Sequence, residues 1–592
     1  RAKGGVGLFV IGCTSPKPGS GWLENLDDSV IPRYQACVDA GHRHGTPIIA
    51  QLCHPGFYPL PGVPLTQPLP SVEPTQPRYR PHENRRELSK DELQDMIACF
   101  GDAAGRAAEG GVDGVELHSH EWFLHSQMLN SQWNTRTDEY GGPIQNRIRF
   151  MIETLQAMRK AVGPDLVVGV RLKADDMEQA GSDPTDYRYV IRRLEEEKLV
   201  DYVLLTGGDA RLHHGPMARP DGEWIPIVSD LKKGTTLPIM HAGSITTPEM
   251  AEEALASGAM DVVVMTKSHI AEPHFVKKVF EGRLDDIRYC TRCLQSCHGT
   301  MDRMTCVYNP LTSRELAWSS LPTLIRKKKI VIVGAGPAGM EAAIAAASRG
   351  HEVVVLEKSD RIGGQVLVGA QSPTRKLWGR IAEFYQRQAA KGLFEVSTGV
   401  NATLQSILGE SPDAVIVATG SKPLRLLSAG INHEILTVHE ALAGQIDREK
   451  SVVILDREGF MRPIVVADRL SALGAKVHFV TPFPRLSPSA EGWTMDELVR
   501  QFKSRGMEFH VGCDLAEWHC DGSVVLRDVM RADKILVPNV GAVVAAIGSS
   551  PVNDLAIELR GKVPELHVIG DANNPATVEF AAYQGMRIGR EI

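Results

Sequence analysis

The chain has 592 residues, of which 43% are hydrophobic and 23% charged, and its formal net charge at pH 7 is −7. This length is too great for one hydrophobic core and predicts about three or four domains. The composition is that of an ordinary globular enzyme, and the small negative charge argues against a nucleic-acid-binding surface. No apolar run approaches the roughly 18 residues of a membrane span, and no signal peptide is visible.

Strand-like and helix-like segments alternate over residues 1–285. The strand candidates are apolar on both faces, as parallel strands covered by helices should be. They are Val6–Ile11, Pro47–Leu52, Gly114–Leu117, Leu166–Leu172, Tyr202–Thr206, Pro238–Ala242 and Val262–Met265. Amphipathic runs such as Lys90–Ala108 and Gln145–Ala161 separate them. Repeated strand–helix units predict an α/β fold, a (β/α)8 TIM barrel. Because only seven strands are counted and the chain opens on a strand lead-in, we expect a further N-terminal segment to carry the first strand.

Polar residues follow strand after strand in this region. In TIM barrels the chemistry lies where the strands end, at their C-terminal edge. A structural role explains any single one of these residues equally well, but their repetition at one rim favours a site. They are Gln51, His54, His118, Glu121, Arg171, Asp209–His214, Gly243, Ser244, Thr266 and Lys267.

Four of the ten cysteines follow the barrel region within 17 positions, with the spacing C-x2-C-x3-C-x8-C. They are Cys290, Cys293, Cys297 and Cys306. Clustered thiolates suit an iron–sulfur cluster, and zinc also accepts four sulfurs. Four separate core thiols are the plain alternative. The position between a barrel and a dinucleotide fold favours iron, so we predict a [4Fe-4S] segment over residues 286–325. The six other cysteines show no disulfide spacing, which favours a reducing, cytoplasmic compartment.

A dinucleotide-binding motif comes next. The glycines of a GxGxxG, Gly334, Gly336 and Gly339, follow one strand and open a helix, Met340–Ser348. A second strand ends at Glu357. Such glycines allow a tight turn and the close approach of a pyrophosphate, and the acid binds ribose hydroxyls. We therefore predict a Rossmann-like domain for FAD, or for ADP in its place, over residues 326–445 and 540–592.

A second Rossmann-like unit is predicted as an insertion over residues 446–539. It begins with the strand Ser451–Leu455, and a further strand is expected at Lys476–Val480. The loop Asp456–Met461 between them has no GxGxxG. It carries acids where a phosphate would need bare backbone and a helix N-terminus. The pattern predicts a retained fold with a lost NAD(P)H site.

Two motifs of the first region resemble the Old Yellow Enzyme family of FMN barrels. The run Gln51–Gly56 resembles the family's Q-L-x-H-x-G, and Asn134–Gly142, followed by Asn146 and Arg147, resembles its N-x-R-x-D-x-[YW]-G-G…N-R. The resemblance implies an FMN-binding barrel over residues 1–285. It further implies cofactor contacts from Gln51 and Arg171 to the flavin ring, and from Gly243, Ser244 and Lys267 to the phosphate. In the second half, Gly364 and Gln365, with Gly570 and Asp571, resemble FAD contacts of the pyridine-nucleotide disulfide reductases.

The catalytic positions depart from the reductases of this family. Phe123 stands where they carry a proton-donating tyrosine, and His118 and Glu121 fall where the family places its substrate-facing pair. The whole architecture resembles 2,4-dienoyl-CoA reductase and trimethylamine dehydrogenase. The stretch His118–Phe123 resembles most the demethylases of dimethylglycine and N-methylproline.

The resemblance implies oxidative N-demethylation of a small methylated amine or amino acid, with release of formaldehyde. Electrons would pass from FMN through the cluster and FAD to an acceptor such as electron-transferring flavoprotein, and we expect a homo-oligomer. The candidate catalytic residues are His118, Glu121, His213 and His214. An NAD(P)H-dependent dienoyl-CoA or enoate reductase is the alternative, and a purely structural or electron-transfer role is a third possibility.

Overall fold

The computed structural model describes residues 1–17, 23–56, 87–120, 123–177, 181–208, 215–298, 303–426, 434–444, 446–447 and 449–592. The chain divides into two compact units. Unit 1 comprises Arg1–Gly215, Pro220–His269 and Pro273–Glu281. Unit 2 comprises Pro216–Arg219, Ile270–Glu272 and Gly282–Ile592.

Unit 1 is built on one parallel sheet, with the strand order β2-β1-β3-β4-β5-β6-β7-β8. Its strands are β1 (Phe9–Ser15), β2 (Leu23–Glu24), β3 (Ile48–Leu52), β4 (Gly114–Ser119), β5 (Val167–Lys173), β6 (Tyr202–Thr206), β7 (Ile239–Ala242) and β8 (Val262–Val263). Every residue of β3, β4 and β6 is buried, as expected for strands covered on both faces. The seven predicted strands are thus neighbours in one sheet, which confirms the TIM-barrel class.

The helices of this part of the chain lie between and after the strands. They are α1 (Ile31–His42), α2 (Lys90–Glu109), α3 (Leu124–Leu129), α4 (Ile144–Arg147), α5 (Arg149–Val162), α6 (Pro184–Glu196), α7 (Ile225–Lys232), α8 (Pro248–Ala256), α9 (Thr266–Ala271) and α10 (Phe275–Phe280). A capping box at Ser89 and Glu92 fixes the start of α2. The predicted first strand, Val6–Ile11, begins three residues later, at Phe9, where its pairing with Ile48 of β3 starts.

Unit 2 contains a first parallel sheet, with the strand order β11-β10-β9-β12-β23. Its strands are β9 (Lys329–Val333), β10 (Glu352–Leu356), β11 (Glu395–Ser397), β12 (Ala414–Val417) and β23 (Leu566–Val568). Its helices are α11 (Pro337–Ser348), α12 (Val366–Gly369), α13 (Gly379–Ala390), α14 (Leu404–Gly409), α18 (Asp554–Leu559) and α19 (Val578–Glu591). An antiparallel pair, β13 (Ser421–Pro423) and β22 (Ser549–Pro551), precedes and follows the inserted segment. Central strand β9 leads directly into the glycine turn, as in Rossmann folds.

The inserted segment forms a second parallel sheet, ordered β14-β21-β15-β16-β17. Its strands are β14 (Leu436–Thr437), β15 (Ser451–Asp456), β16 (Val477–Thr481), β17 (Glu508–Val511) and β21 (Val540–Ala546). The helices α15 (Val438–Ala443), α16 (Met461–Ala472) and α17 (Gly492–Ser504) accompany it. An antiparallel sheet follows, made of β18 (Cys513–Trp518), β19 (Val524–Asp528) and β20 (Lys534–Val537). The predicted second Rossmann-like fold is confirmed.

The structure pairs two of the cysteines for which the sequence shows no disulfide spacing. Cys13 and Cys53 form a disulfide, with their Cα atoms 6.0 Å apart. Cys13 lies on β1 and Cys53 directly follows β3, and these two strands are hydrogen-bonded neighbours. The pairing arises from strand adjacency across 40 positions of sequence, so spacing gives no signal for it. In the described part of the chain no helix is long and apolar enough to cross a membrane.

Candidate functional site

A buried carboxylate organises the interior of the unit 1 sheet. Glu116 on β4 accepts hydrogen bonds from the Gln51 amide, at 2.5 Å, and from the Tyr202 hydroxyl, at 2.8 Å. Burial raises the pKa of Glu116, and the nearby charge of Arg171 acts in the opposite direction. These contacts fix the Gln51 side chain at the end of β3. Glu116 and Tyr202 were missed by the sequence reasoning, although a glutamate inside the apolar run Val115–Leu117 is a usable signal.

His118 lies at the same end of β4, opposite Arg171 in the strand register. Its ring is buried, and its Nδ1 accepts the backbone N–H of His120 at 3.3 Å. A neutral ring with this bond carries its proton on Nε2. The Phe123 ring meets the His118 ring edge-on, at 4.4 Å between centroids, and is fully buried. The other predicted catalytic residues, Glu121, His213 and His214, lie outside the described residues, as do Asp209 and Arg211.

His54 follows β3 and is also buried. Burial lowers the pKa of His54 to about 4, so its ring is neutral at pH 7. Its Nδ1 accepts the backbone N–H of Gly56 at 3.0 Å, and its carbonyl accepts the N–H of Leu124. These bonds tie the loop after β3 to the start of α3, so a positioning role explains this histidine.

The end of β7 carries buried polar atoms that need partners. The Nδ1 of His241 donates to the Leu205 carbonyl at 2.9 Å, and burial lowers the pKa of His241 to about 4. Its Nε2, and the Oγ of Ser244, are buried and have no hydrogen-bond partner among the described residues. A Cβ on Gly243 would come within 2.1 Å of that Nε2. Buried polar groups in native proteins are normally satisfied, so these atoms fit a polar ligand such as a flavin phosphate or ring.

Ser244 adopts a left-handed backbone conformation, with φ 59°. Lys267 lies in the first turn of α9, which follows β8. The predicted phosphate residues Gly243, Ser244 and Lys267 therefore follow two neighbouring strands, β7 and β8, at one end of the sheet. A backbone turn and a lysine charge are suitable for phosphate.

The GxGxxG of unit 2 forms a tight turn between β9 and α11. A Cβ on Gly334, where φ is 105°, would lie 2.4 Å from the Ala418 carbonyl oxygen, and one on Gly339 would lie 1.9 Å from the Gly334 carbonyl oxygen. By contrast, a Cβ on Gly336 would meet only the Cα of Gly364, at 4.0 Å. The turn therefore needs its first and third glycines for packing and leaves open space over the second. Open backbone at a helix start fits a pyrophosphate.

Two further predicted contacts come together beside this turn. The Gln365 amide donates to Asp571 Oδ2 at 3.2 Å and to the Ser421 hydroxyl at 3.0 Å. The Ser421 hydroxyl also donates to Asp571, at 2.8 Å. Gly570 packs against the start of α11, since a Cβ there would lie 2.7 Å from the Ala338 Cβ. Segments more than 200 positions apart thus meet at the glycine turn.

Glu357 directly follows β10 and is buried. Its Oε2 accepts the backbone N–H of Ala335 at 2.7 Å, and its Oε1 accepts the N–H of Ser359 at 2.8 Å. The carboxylate therefore anchors the glycine turn to the end of β10. Oε1 also accepts the Ser359 hydroxyl at 2.8 Å, whereas Oε2 retains a lone pair for a ribose hydroxyl.

The four clustered cysteines lie in unit 2 as free thiols. The backbone N–H of Arg292 donates to the Cys290 sulfur at 3.3 Å. Burial raises the pKa of Cys293, and raises that of Cys306 to about 12, while backbone N–H bonds to both sulfurs act in the opposite direction. When a metal binds such thiols, it replaces their protons, and the N–H donors then stabilise the resulting thiolates.

The positions of the four sulfurs can be compared with those in a four-cysteine zinc site. A zinc site made of four cysteines has Zn–S bonds of about 2.3 Å, which places its sulfurs about 3.8 Å apart. Among the described residues, which include all four cysteines, no three of these sulfurs lie within 4.8 Å of one another. Cys290 and Cys293 act electrostatically on the thiol of Cys306 and raise its pKa, so these three thiols lie near one another, as ligands of one metal group do. The buried guanidinium of Arg375 adds positive charge near Cys293.

The loop after β15 differs from the glycine turn. Asp456 Oδ1 accepts the backbone N–H groups of Glu458, at 2.9 Å, and Gly459, at 2.7 Å. Glu458 accepts the N–H of Gly548 at 2.9 Å and forms an ion pair with Arg462 in the first turn of α16. The chain's own carboxylates therefore occupy donors that a phosphate would need.

Comparison with known proteins assigns the family. Residues 1–286 match the NADH:flavin oxidoreductase / NADH oxidase family, and residues 328–585 match the pyridine nucleotide-disulphide oxidoreductase family. The NADH oxidase of Thermoanaerobacter brockii is 32% identical over all of this chain and 93% of its own length. The chain belongs to this flavin-dependent oxidoreductase family.

Two further relatives of the family act on methylated amines by name. The N,N-dimethylglycine/sarcosine dehydrogenase of Chromohalobacter salexigens is 32% identical over 84% of this chain and 75% of its own length. The probable N-methylproline demethylase of Rhizobium meliloti is 30% identical over 95% of this chain and 83% of its own length.

Solved structures of the same architecture include a CoA-thioester reductase and an amine dehydrogenase. A 2-naphthoyl-CoA reductase complex matches 100% of this chain and 92% of its own chain, with a TM-score of 0.91 at 28% identity. Histamine dehydrogenase from Rhizobium sp. 4-9 matches 100% of this chain and 91% of its own, with a TM-score of 0.91 at 25% identity. The enzyme is therefore a flavin oxidoreductase of a family that includes amine dehydrogenases and enoyl-type reductases.

Proposed function

We propose that this enzyme is an oxidative N-demethylase of a small methylated amine or amino acid, of the N-methylproline or dimethylglycine kind. The observation that carries the proposal is the loop after β15, where Asp456 and Glu458 bond the backbone donors that a nicotinamide dinucleotide would use. Reducing equivalents then enter from the substrate rather than from NAD(P)H. The identities of 32% to an N,N-dimethylglycine/sarcosine dehydrogenase and of 30% to a probable N-methylproline demethylase support the proposal.

The residues after β4 agree with amine oxidation. An enoate reductase of this family needs a proton donor at the position of Phe123, and a phenylalanine ring has none. His118 beside it is buried, with Nε2 carrying the proton in the neutral ring. Glu121, three positions further on, is the natural charge partner for a substrate ammonium group. We propose that these two side chains set the protonation of the amine, because only the neutral amine releases hydride readily.

The reaction balances as a two-electron oxidation. A bound FMN would supply the two-electron acceptor for the hydride of the N-methyl carbon, and water would cleave the resulting substrate iminium to formaldehyde and the demethylated amine. The protein's own contribution is to bind the amine, to orient its methyl group and to exclude bulk water at the end of β4. Gln51, Arg171, Gly243, Ser244 and Lys267 are the residues proposed to hold the cofactor.

The electrons are proposed to leave by way of unit 2. A [4Fe-4S] cluster held by Cys290, Cys293, Cys297 and Cys306 would supply one-electron transfer to FAD or, where ADP takes the place of FAD, directly to the external acceptor. The amide donors at the cysteine sulfurs and the Gly336 opening support these assignments. An external carrier such as electron-transferring flavoprotein is the proposed acceptor.

Anaerobic stopped-flow spectroscopy tests the proposal. Flavin bleaching is followed after mixing with N-methylproline, dimethylglycine, sarcosine or dimethylamine, and separately with NADH or NADPH. Bleaching by one of the amines, with stoichiometric formaldehyde, is the expected result. Bleaching by NAD(P)H alone, with oxidation by an enoyl thioester, would replace the proposal by the reductase alternative, and bleaching by neither would indicate an electron-transfer role.

A further inference from the structure

Two histidines and a glutamate converge on neighbouring strands of the inserted sheet in unit 2. His478 on β16 stands opposite Glu508 on β17 in the parallel register. His510 lies two positions after Glu508, so the strand period of two places both on one face of β17. None of these residues takes part in the flavin, dinucleotide or cysteine sites.

The three side chains present their ligand atoms to one another. The Nδ1 of His478 lies 3.2 Å from the Nε2 of His510 and 3.4 Å from the Oε2 of Glu508. All three ligand atoms lie within 4.8 Å of one another, and no other group of this kind occurs among the described residues. The His478 ring is buried, His510 is half-buried and Glu508 is exposed.

These distances match a known coordination geometry. Zinc binds histidine nitrogen and carboxylate oxygen at about 2.0–2.2 Å, so two ligand atoms of a tetrahedral site lie about 3.3–3.5 Å apart. Two of the observed separations are 3.2 Å and 3.4 Å. Since Glu508 is exposed, solvent can reach the fourth position.

Hydrogen bonding alone satisfies this group poorly. One ring proton, on either nitrogen, serves the contact between Nδ1 of His478 and Nε2 of His510, and Nδ1 then has no second proton for Oε2 of Glu508. The other oxygen of Glu508 pairs with Lys476 at 3.2 Å, which orients the carboxylate as outer-shell partners do in metal sites.

We propose that His478, Glu508 and His510 form a Zn²⁺ site that links strand β17 to strand β16. β17 is an edge strand of this sheet. Among the described strands it is hydrogen-bonded in this sheet to β16 alone. A metal held by both strands would fasten this edge of the inserted fold. The site is separate from the four cysteines, and its occupancy does not depend on the reaction catalysed.

The test is Zn²⁺ binding by the intact holoenzyme with its full iron content. Equilibrium dialysis against Zn²⁺, followed by metal analysis, should find one more zinc per chain in the wild type than in His510→Gln or Glu508→Gln. His567→Gln is the matched control, because His567 pairs with Glu565 at 2.8 Å without a second imidazole. This control should bind as much zinc as the wild type.

Removing a ligand should weaken Zn²⁺ binding by more than the tenfold to hundredfold that loss of an outer-shell partner costs. Zn²⁺ should also raise the thermal midpoint of the wild type and of His567→Gln but not that of His510→Gln. Equal zinc content in the wild type and both ligand variants would overturn the proposal. Glu508→Gln keeps the test available if His510→Gln fails to fold, because Glu508 is exposed.

Discussion

Glu458 Oε1 accepts the backbone N–H of Gly548, 2.9 Å away, and the same carboxylate pairs with Arg462 at the start of α16. In a dinucleotide-binding Rossmann unit these positions belong to the pyrophosphate and to bare backbone. An acid from the protein thus takes the place of the anion. The neighbouring Asp456 does the same for two more backbone N–H groups.

We therefore predict that NADH and NADPH reduce the enzyme poorly. Binding either nucleotide would require displacing internal hydrogen bonds to charged groups, each worth about 1.5–3 kcal/mol, so the loss for one bond is about tenfold to a hundredfold. The rate of flavin reduction by each nucleotide at sub-millimolar concentration is measured by anaerobic stopped-flow spectroscopy, and the amine that reduces the flavin fastest is the positive control. Rapid bleaching by either nucleotide would refute the interpretation of this loop.

The cysteine segment leads to a prediction about iron. The wild type should contain about four iron atoms per chain and give the EPR signal of a reduced cluster after dithionite treatment. Cys293→Ala should lose most of this iron. Cys513→Ala is the matched control, since Cys513 is equally buried but lies on β18, and it should keep the full iron content. Zinc in place of iron in the wild type, or a full cluster in Cys293→Ala, would contradict the assignment.

A buried ion pair fastens the cysteine segment to helix α11. Arg288 donates to both oxygens of Glu341, at 2.5 Å and 3.0 Å, and both side chains are buried. We predict that Glu341→Gln destabilises the protein by about 3–5 kcal/mol, because the guanidinium is left without its counter-charge. Glu410→Gln, which breaks the partly exposed pair with Lys329, should destabilise the protein far less, because water solvates both charges. Denaturant unfolding of both variants provides the comparison, and equal losses would show that burial does not decide the effect.

The fold was predictable because its signals are periodic and local. The strands of both halves differ from their predicted bounds by a few residues, and the first strand starts at Phe9, where its pairing with β3 begins. The disulfide between Cys13 and Cys53 was not predictable, since it depends on which strands are neighbours.

The candidate site was predictable only in part. Residues that match family positions, such as Gln51 and Arg171, can be recognised in the sequence, whereas the partners that orient them cannot. Glu116 bonds the Gln51 amide from the next strand, and its role depends on register and burial. The pairing of Gln365 with Asp571 likewise spans 206 positions, which no local pattern encodes.

Asp456 provides a test of pH dependence. Burial raises the pKa of Asp456 to about 6, above its ordinary value of 3.8. The folded state thus holds the proton more tightly than the unfolded chain does. The contribution of Asp456 to the free energy of unfolding is therefore fully present below about pH 4 and is lost as the pH rises through 6. Asp456→Asn keeps an oxygen for the N–H groups of Glu458 and Gly459 and cannot ionise. Its stability relative to the wild type should therefore increase by about 2 kcal/mol between pH 4.5 and pH 8. Denaturant unfolding at the two pH values measures this, and a difference independent of pH would exclude a buried ionised carboxylate.

The last prediction concerns the residues after β4. Replacing His118 by alanine, or Glu121 by glutamine, should slow amine-driven flavin reduction by about tenfold to a hundredfold, because a hydrogen-bonded charge contact worth about 1.5–3 kcal/mol is lost. His42→Ala is the matched control for His118. His42 bonds Asp113, which precedes β4 at the opposite end of the strand, so its loss should leave the rate unchanged.

Phe123→Tyr completes this test. It restores the hydroxyl that reductases of the family use, but strong enoate reduction should not appear, because hydride from NAD(P)H is still lacking. Stopped-flow reduction by the amine, with bound flavin measured in every variant, distinguishes chemistry from cofactor loss. Wild-type rates in both His118→Ala and Glu121→Gln, with flavin fully bound, would place the chemistry elsewhere, with the segment Asp209–His214 after β6 as the next candidate.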